Sequence, residues 1–106
     1  MDEKKVVVAL GALAHPMRLR VFRALVVAGQ AGLTPGAMCE SLGTPNATLS
    51  FHLKELSRAG LVTQERASRN LVYRAVFESI NGLIAFLTES CCEGAECAVD
   101  SAACIC

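Results

Sequence analysis

Apolar residues recur at helical spacing in five stretches, and between the last two of these the period shortens to that of strands. Residues 4–14 carry Val6, Val7, Ala9, Leu10 and Leu13 with little polar surface. Pro16 opens a second helix through Ala28, with Leu19, Phe22, Leu25 and Val26 as its expected core positions and Arg18, Arg20 and Arg23 off that stripe. Gly29 and Gly32 end it. Thr34 and Pro35 form a cap and first-turn pair for a short third helix through Met38 and Leu42. Gly43 supplies a tight turn, and Thr44 and Pro45 repeat the cap pattern for a fourth helix that Gly60 stops. In that helix Leu49, Leu53 and Leu56 make one buried stripe. Leu61 to Arg66 is strand-like, Ala67-Ser68-Arg69-Asn70 is a polar turn, and Leu71 to Val76 is β-rich again. Glu78 to Ser90 forms a last helix with Ile80, Leu83, Ile84 and Leu87 on one side.

Helix, short glycine turn and helix make a helix-turn-helix, and the two-stranded hairpin after it makes a wing. The expected architecture is therefore mainly α with a small β-hairpin (α+β), a winged helix-turn-helix in the order α-α-α-α-β-β-α. Opposite the leucine stripe, the fourth helix carries Ala47, Ser50, Phe51, Lys54 and Arg58. Short groups at the N-terminal end and cations further on suit a helix lying in the DNA major groove, with base edges ahead and phosphates alongside. Taken alone, this stretch reads better as an ordinary amphipathic surface helix with solvated charges; the helix before it and the wing after it turn the balance to DNA. The candidate DNA contacts are Asn46, Ala47, Thr48, Ser50, Phe51, His52, Lys54 and Arg58, with Arg66 and Arg69 at the wing tip. His52 also flanks the buried stripe, where packing or hydrogen bonding is its expected role.

Charge distribution sharpens this picture. The 106 residues have a net charge of zero, yet all ten basic residues fall between Lys4 and Arg74. That span holds three acids, Glu40, Glu55 and Glu65, leaving a balance of +7, while Glu78 to Cys106 has five acids and no Lys or Arg. The body suits a polyanion and the tail repels one. The chain is long enough for one domain with an aliphatic core, since Trp is absent and aromatics are 5%. No apolar span reaches membrane length, no secretory signal is expected, and a cytoplasmic location follows. Two such apolar terminal helices are hard to hide in a monomer. Val6, Val7, Leu10, Ile84 and Leu87 are expected on the shared face of a homodimer, whose two recognition helices would meet a palindromic operator. The alternative is that both helices pack within one core.

The chain resembles the ArsR/SmtB family of winged-helix metalloregulatory repressors. The resemblance rests on Leu13-Ala14-His15-Pro16-Met17-Arg18-Leu19-Arg20, on Thr48-Leu49-Ser50-Phe51-His52-Leu53-Lys54-Glu55-Leu56, on Ala59-Gly60-Leu61-Val62, and on Arg69 and Tyr73-Arg74. It covers most of residues 10–76 and implies a homodimer that binds an operator and is released by a metal or metalloid. Phe51 stands where the family commonly has a His, and Ser68 replaces a usual wing-turn Gly.

The effector site must be sought among the cysteines. Cys39 is alone in the third helix, so it is expected as a small core residue rather than half of a thiol pair. The two histidines, His15 and His52, lie outside the last helix, which leaves no His/Asp zinc site there. Cys91, Cys92, Cys97, Cys104 and Cys106 place five thiols within sixteen residues, and without a secretion signal ligation is favoured over disulfides. Residues 1–90 thus divide from a cysteine-rich tail, 91–106. Soft thiolates select soft acceptors, and As(III) or Sb(III) takes three thiolates in a pyramid. Cys91, Cys92 and Cys97 can converge because Gly94 lets the loop return, an arrangement similar to arsenite-responsive members of the family. Cys104 and Cys106 are possible additional ligands. Methylarsenite would need only Cys91 and Cys92, whereas Cd(II) or Zn(II) would draw on four of the tail thiols. A repressor sensing thiol oxidation shares the same fold. A thiol redox enzyme lacks its expected Cys-x-x-Cys at a helix start, and a metal store has no use for a capped basic helix, so no enzyme is expected.

Overall fold

A computed structural model describes residues 1–89. Its elements are α1 (Glu3–Leu13), α2 (Pro16–Ala28), α3 (Pro35–Leu42), α4 (Asn46–Arg58), β1 (Val62–Ala67), β2 (Asn70–Ala75) and α5 (Phe77–Leu87), with one 3-10 turn at Gly29–Ala31. The order agrees with the sequence expectation. The last helix is shorter than expected, ending at Leu87 with Thr88 as its C-cap rather than reaching Ser90, and the tail with Cys91, Cys92, Cys97, Cys104 and Cys106 lies outside the described residues.

Local chemistry starts most of the helices. Asp2 Oδ1 accepts from the Lys5 amide at 2.8 Å, His15 Nδ1 from Met17 at 3.1 Å and Thr34 Oγ1 from Ala37 at 3.2 Å. The exceptions are α5, whose N-cap is Val76, and α4. Pro45 itself occupies the N-cap, no side chain caps this helix, and Thr44, the expected cap, is one residue too early and buried. Packing holds α4 instead: Leu49, Leu53 and Leu56 are buried as expected, alongside Val21, Phe22 and Leu25 of α2 and Met38 of α3.

Two core assignments change. Leu19 is 48% exposed and Val21 is fully buried in its place. The rows 19-22-26 and 18-21-22-25 both satisfy a helical period in so apolar a segment, and α2 turns the second row inward, carrying Arg18 to the core's edge. Val6 is buried at 3% exposure rather than left on an outer face. Val7, Leu10, Ile84 and Leu87 remain exposed.

The hairpin pairs Val62 with Ala75 through Ala67 with Asn70, leaving a two-residue turn, Ser68-Arg69, where four residues were expected. Ser68 adopts φ 60°, the left-handed conformation that a glycine would take without cost. Leu33 exchanges two backbone hydrogen bonds with Tyr73, at 3.0 and 2.8 Å, and so ties the segment before α3 to the wing. Beside it Gly32 has φ +68°, and a Cβ there would meet Tyr73 O and Val72 Cγ1, each at 2.6 Å. Gly32→Ala should therefore cost roughly 1–3 kcal/mol of stability, read as a lower urea midpoint at unchanged slope. An unchanged midpoint would show that the wing root is not held this closely.

Candidate nucleic-acid interface

The leucine stripe fixes which face of α4 is free. With Leu49, Leu53 and Leu56 inward, Asn46, Ala47, Thr48, Ser50, Phe51, Lys54 and Arg58 are all exposed. At the far end of the hairpin Arg66 and Arg69 are exposed as well. Neutral groups lie toward the start of this helical face and cations toward its end. Arg58 reaches back to Glu55 at 3.2 Å, which offsets part of its charge. Arg74 is a brace: its Nε donates to Gln30 O and its Nη1 to Glu65 Oε1, both at 2.7 Å. Asn46 is steadied from α3, where the half-buried Cys39 donates its thiol to Asn46 Oδ1 at 3.8 Å.

His52 is the correction to the candidate contacts. It is 5% exposed and points into the domain, so it does not share the outward face with Phe51. Its Nδ1 accepts from Arg18 Nε at 3.2 Å, and its ring centroid lies 4.6 Å from that of His15 and 5.6 Å from that of Phe51. The Arg18 guanidinium stands over the Phe51 ring, 5.5 Å from its centroid. Burial holds the His52 pKa below the ordinary histidine value, and the neighbouring His15 and Arg18 push it the same way. Arg18 and His15 were not among the expected site residues. The available signal was position: Arg18 stands four residues before Phe22 and seven before Leu25, so a cation on the buried row of α2 demanded a partner.

Among the described residues no three His, Cys, Asp or Glu converge to hold a metal, and no helix is long and apolar enough to cross a membrane. A groove of about 690 Å³ between α2 and α3 is lined by Leu19, Arg20, Arg23, Val27 and Leu42 and contains none of the candidate DNA contacts.

A family model described as a helix-turn-helix domain matches residues 13–65, half of the chain. The chain belongs to this helix-turn-helix family. The matched span runs from the end of α1 into β1 and so contains the whole outward face of α4. Among curated proteins, the HTH-type transcriptional regulator YgaV of Escherichia coli (strain K12) is 28% identical over 83 residues, 78% of this chain and 82% of YgaV. An ArsR-like transcriptional regulator from Rhodococcus sp. RHA1 superposes with a TM-score of 0.75 at 22% identity, covering 86% of this chain and 83% of its own. The homodimeric winged helix-turn-helix DNA-binding domain Mb0332 from Mycobacterium bovis gives 0.66 at 27% identity, covering 80% and 76%. A structure titled as a possible transcriptional regulator for arsenical resistance gives 0.64 at 28%, covering 74% and 79%. These relatives are transcriptional regulators, and the chain shares their winged helix-turn-helix fold.

The lowered His52 pKa sets a pH dependence for the helix-turn-helix fold. As pH falls from neutrality through the ordinary histidine range, the unfolded chain takes up a proton that folded His52 resists, so stability falls. The thermal midpoint should drop between pH 7.5 and about 5.5, and the drop should be shallower in His52→Asn, which retains an acceptor but does not titrate. Equal drops in the two proteins would remove His52 as the cause.

Proposed function

We propose that this regulator represses an arsenic-resistance operon and leaves its operator when trivalent arsenic or antimony binds Cys91, Cys92 and Cys97. The observation that carries this reading is the set of thiols itself: five cysteines among the sixteen residues 91–106. A three-thiolate donor set matches the pyramidal demand of As(III) and Sb(III), soft acceptors that oxygen and nitrogen ligands hold poorly. One structural relative is described as a possible transcriptional regulator for arsenical resistance, which supports this reading.

The route from the tail to the DNA runs through α5. Its N-terminal turn is bonded to the exit of α4: Ser79 Oγ donates to Gly60 O at 2.7 Å, and the Val76 amide donates to Leu61 O at 2.8 Å. A force that re-aims the end of α5 thus acts on a helix rooted where the recognition helix stops. Ile84 and Leu87 on α5 and Val7 and Leu10 on α1 expose large apolar side chains, and we assign them to a homodimer interface; the related Mb0332 domain is described as homodimeric. A two-fold dimer presents two α4 faces to a palindromic operator. Effector and operator then oppose each other through a coupling free energy on the order of 1–3 kcal/mol. Such a regulator is not an enzyme and works in the cytoplasm, where the chromosome is.

The test is release. Reduced protein is bound to the DNA upstream of its gene, followed by fluorescence anisotropy, and titrated separately with arsenite, antimonite, methylarsenite, Cd(II), Zn(II) and peroxide. Near-stoichiometric release by arsenite is expected, and Cys92→Ser should bind the same DNA yet resist release by at least about tenfold in arsenite, the factor for a coupling of 1.4 kcal/mol. Release by methylarsenite alone would reduce the site to Cys91 and Cys92. Release only by Cd(II), Zn(II) or peroxide would retain the repressor and replace its sensing chemistry, with Cys104 and Cys106 entering as ligands or disulfide partners. Full arsenite response in Cys92→Ser would overturn the assigned site.

A further inference from the structure

Phe51 is an anomaly on the outward face of α4. It is a large aromatic, 55% exposed, amid small polar and basic neighbours, and nothing in the fold requires it there. Its ring nonetheless has an anchored neighbour. Arg18 stands over it at 5.5 Å, and Arg18 is itself fixed by donating Nε–H to the buried His52 at 3.2 Å. His52 is set against His15, the residue that caps α2 one turn before Arg18, with 4.6 Å between ring centroids. An exposed Phe ordinarily samples several rotamers, and ordering one on binding costs affinity. Here α2 has already fixed the ring, so a contact made by Phe51 would start preorganised.

The chemistry of a major groove leaves one partner for such a ring. Phenylalanine has no donor or acceptor, so it cannot read the hydrogen-bonding edges; the apolar group exposed in the groove is the C5-methyl of thymine. We propose that Phe51 reads a thymine methyl in each operator half-site, and that Arg18, anchored on His52, is the residue that positions it. This rests on α4 being the DNA-reading helix. Proton control follows from the same geometry. The Nδ1 lone pair that accepts from Arg18 is lost when His52 takes a second proton, and a charged His52 would then repel Arg18 and any charge on His15. The other elements packed on α4 bring Cys39 and Glu40 on α3, Glu3, Lys4 and Lys5 on α1, and Glu65 and Arg66 on β1. Of these, Cys39 is turned to Asn46 and Glu65 to Arg74.

The test removes the methyl and leaves the protein intact. The upstream duplex is prepared once with thymidine and once with deoxyuridine throughout, and the two affinities are compared at pH 7.5. Wild-type protein should bind the thymidine duplex about fourfold more tightly for each methyl buried, or about fifteenfold for two half-sites, the factor expected for burying a methylene-sized group. Phe51→Ala should lose this preference. Arg18→Lys, which keeps the charge but lacks the Nε–H and the planar stack, should lose most of it while melting as a folded protein. At about pH 5.5 the wild-type ratio should shrink, and that of His52→Asn should not change with pH. Equal wild-type affinity for both duplexes would overturn the proposal and leave α4 as a DNA-binding helix. A preference that Arg18→Lys retains in full would overturn the positioning role. Failure to bind either duplex would overturn the DNA-reading role of α4 and this proposal with it.

Discussion

Burial of Leu49, Leu53 and Leu56 beneath α4 is the constraint on which the rest of this structure depends. Each is no more than 2% exposed, and truncating a buried leucine of this kind to alanine typically costs about 2–5 kcal/mol. A side-chain N-cap is worth about 1 kcal/mol, so the lack of one on α4 is easily outweighed. Packing, rather than local capping, therefore decides both that this helix exists and which way it faces. Once the stripe is inward, the placement of Asn46, Ala47, Ser50, Phe51, Lys54 and Arg58 toward solvent follows from helical geometry. The wing obeys a similar economy. Its strands meet the core at Val62 and Ala75, and the Leu33–Tyr73 bridge and the Arg74 brace hold the adjoining root of the hairpin.

The one polar cluster at the back of the reading helix is of a different kind. A buried imidazole and a half-buried guanidinium each carry a desolvation cost, and each satisfies part of the other's hydrogen bonding. A hydrocarbon pair could fill the same volume with less to satisfy. The Arg18–His52 bond gives α2 and α4 a fixed relative geometry at the point nearest Phe51, and it makes that geometry responsive to protons in the range where histidine titrates. The link between α5 and Gly60 fixes a second point, at the C-terminal exit of α4. The recognition helix is thus gripped at its middle and at its exit by elements that do not themselves present the reading face.

Most of the architecture was legible from the chain because its local signals agree with one another. The proline at the start of α2, the threonine–proline pair before α3 and the glycine after α4 marked boundaries that the structure reproduces within a residue or two. Misreadings arose where two patterns fitted equally well. In α2, Leu19 and Val21 both satisfy a helical row, and only the tertiary partners select Val21. Val6 and Val7 are chemically alike, and the packing of α1 chooses which is buried. Thr44 looked like a cap because Thr34 is one, yet Pro45 took that position and moved the start of α4 by a residue. His52 could be assigned to either side of its helix, because imidazole is at home in a groove or a core. Arg18 and His15 join it only through contacts 34 or more residues away in sequence, which no local pattern encodes.

The central claim is that the outward face of α4 and the wing tip form the DNA interface. Amide shift mapping of isotopically labelled protein with the upstream duplex addresses it directly. The account predicts that the largest changes fall on Asn46 to Lys54 and on Arg66 to Arg69, while Leu19, Arg23 and Val27 in the groove between α2 and α3 stay unperturbed. Changes concentrated at that groove, with α4 and the wing silent, would contradict it.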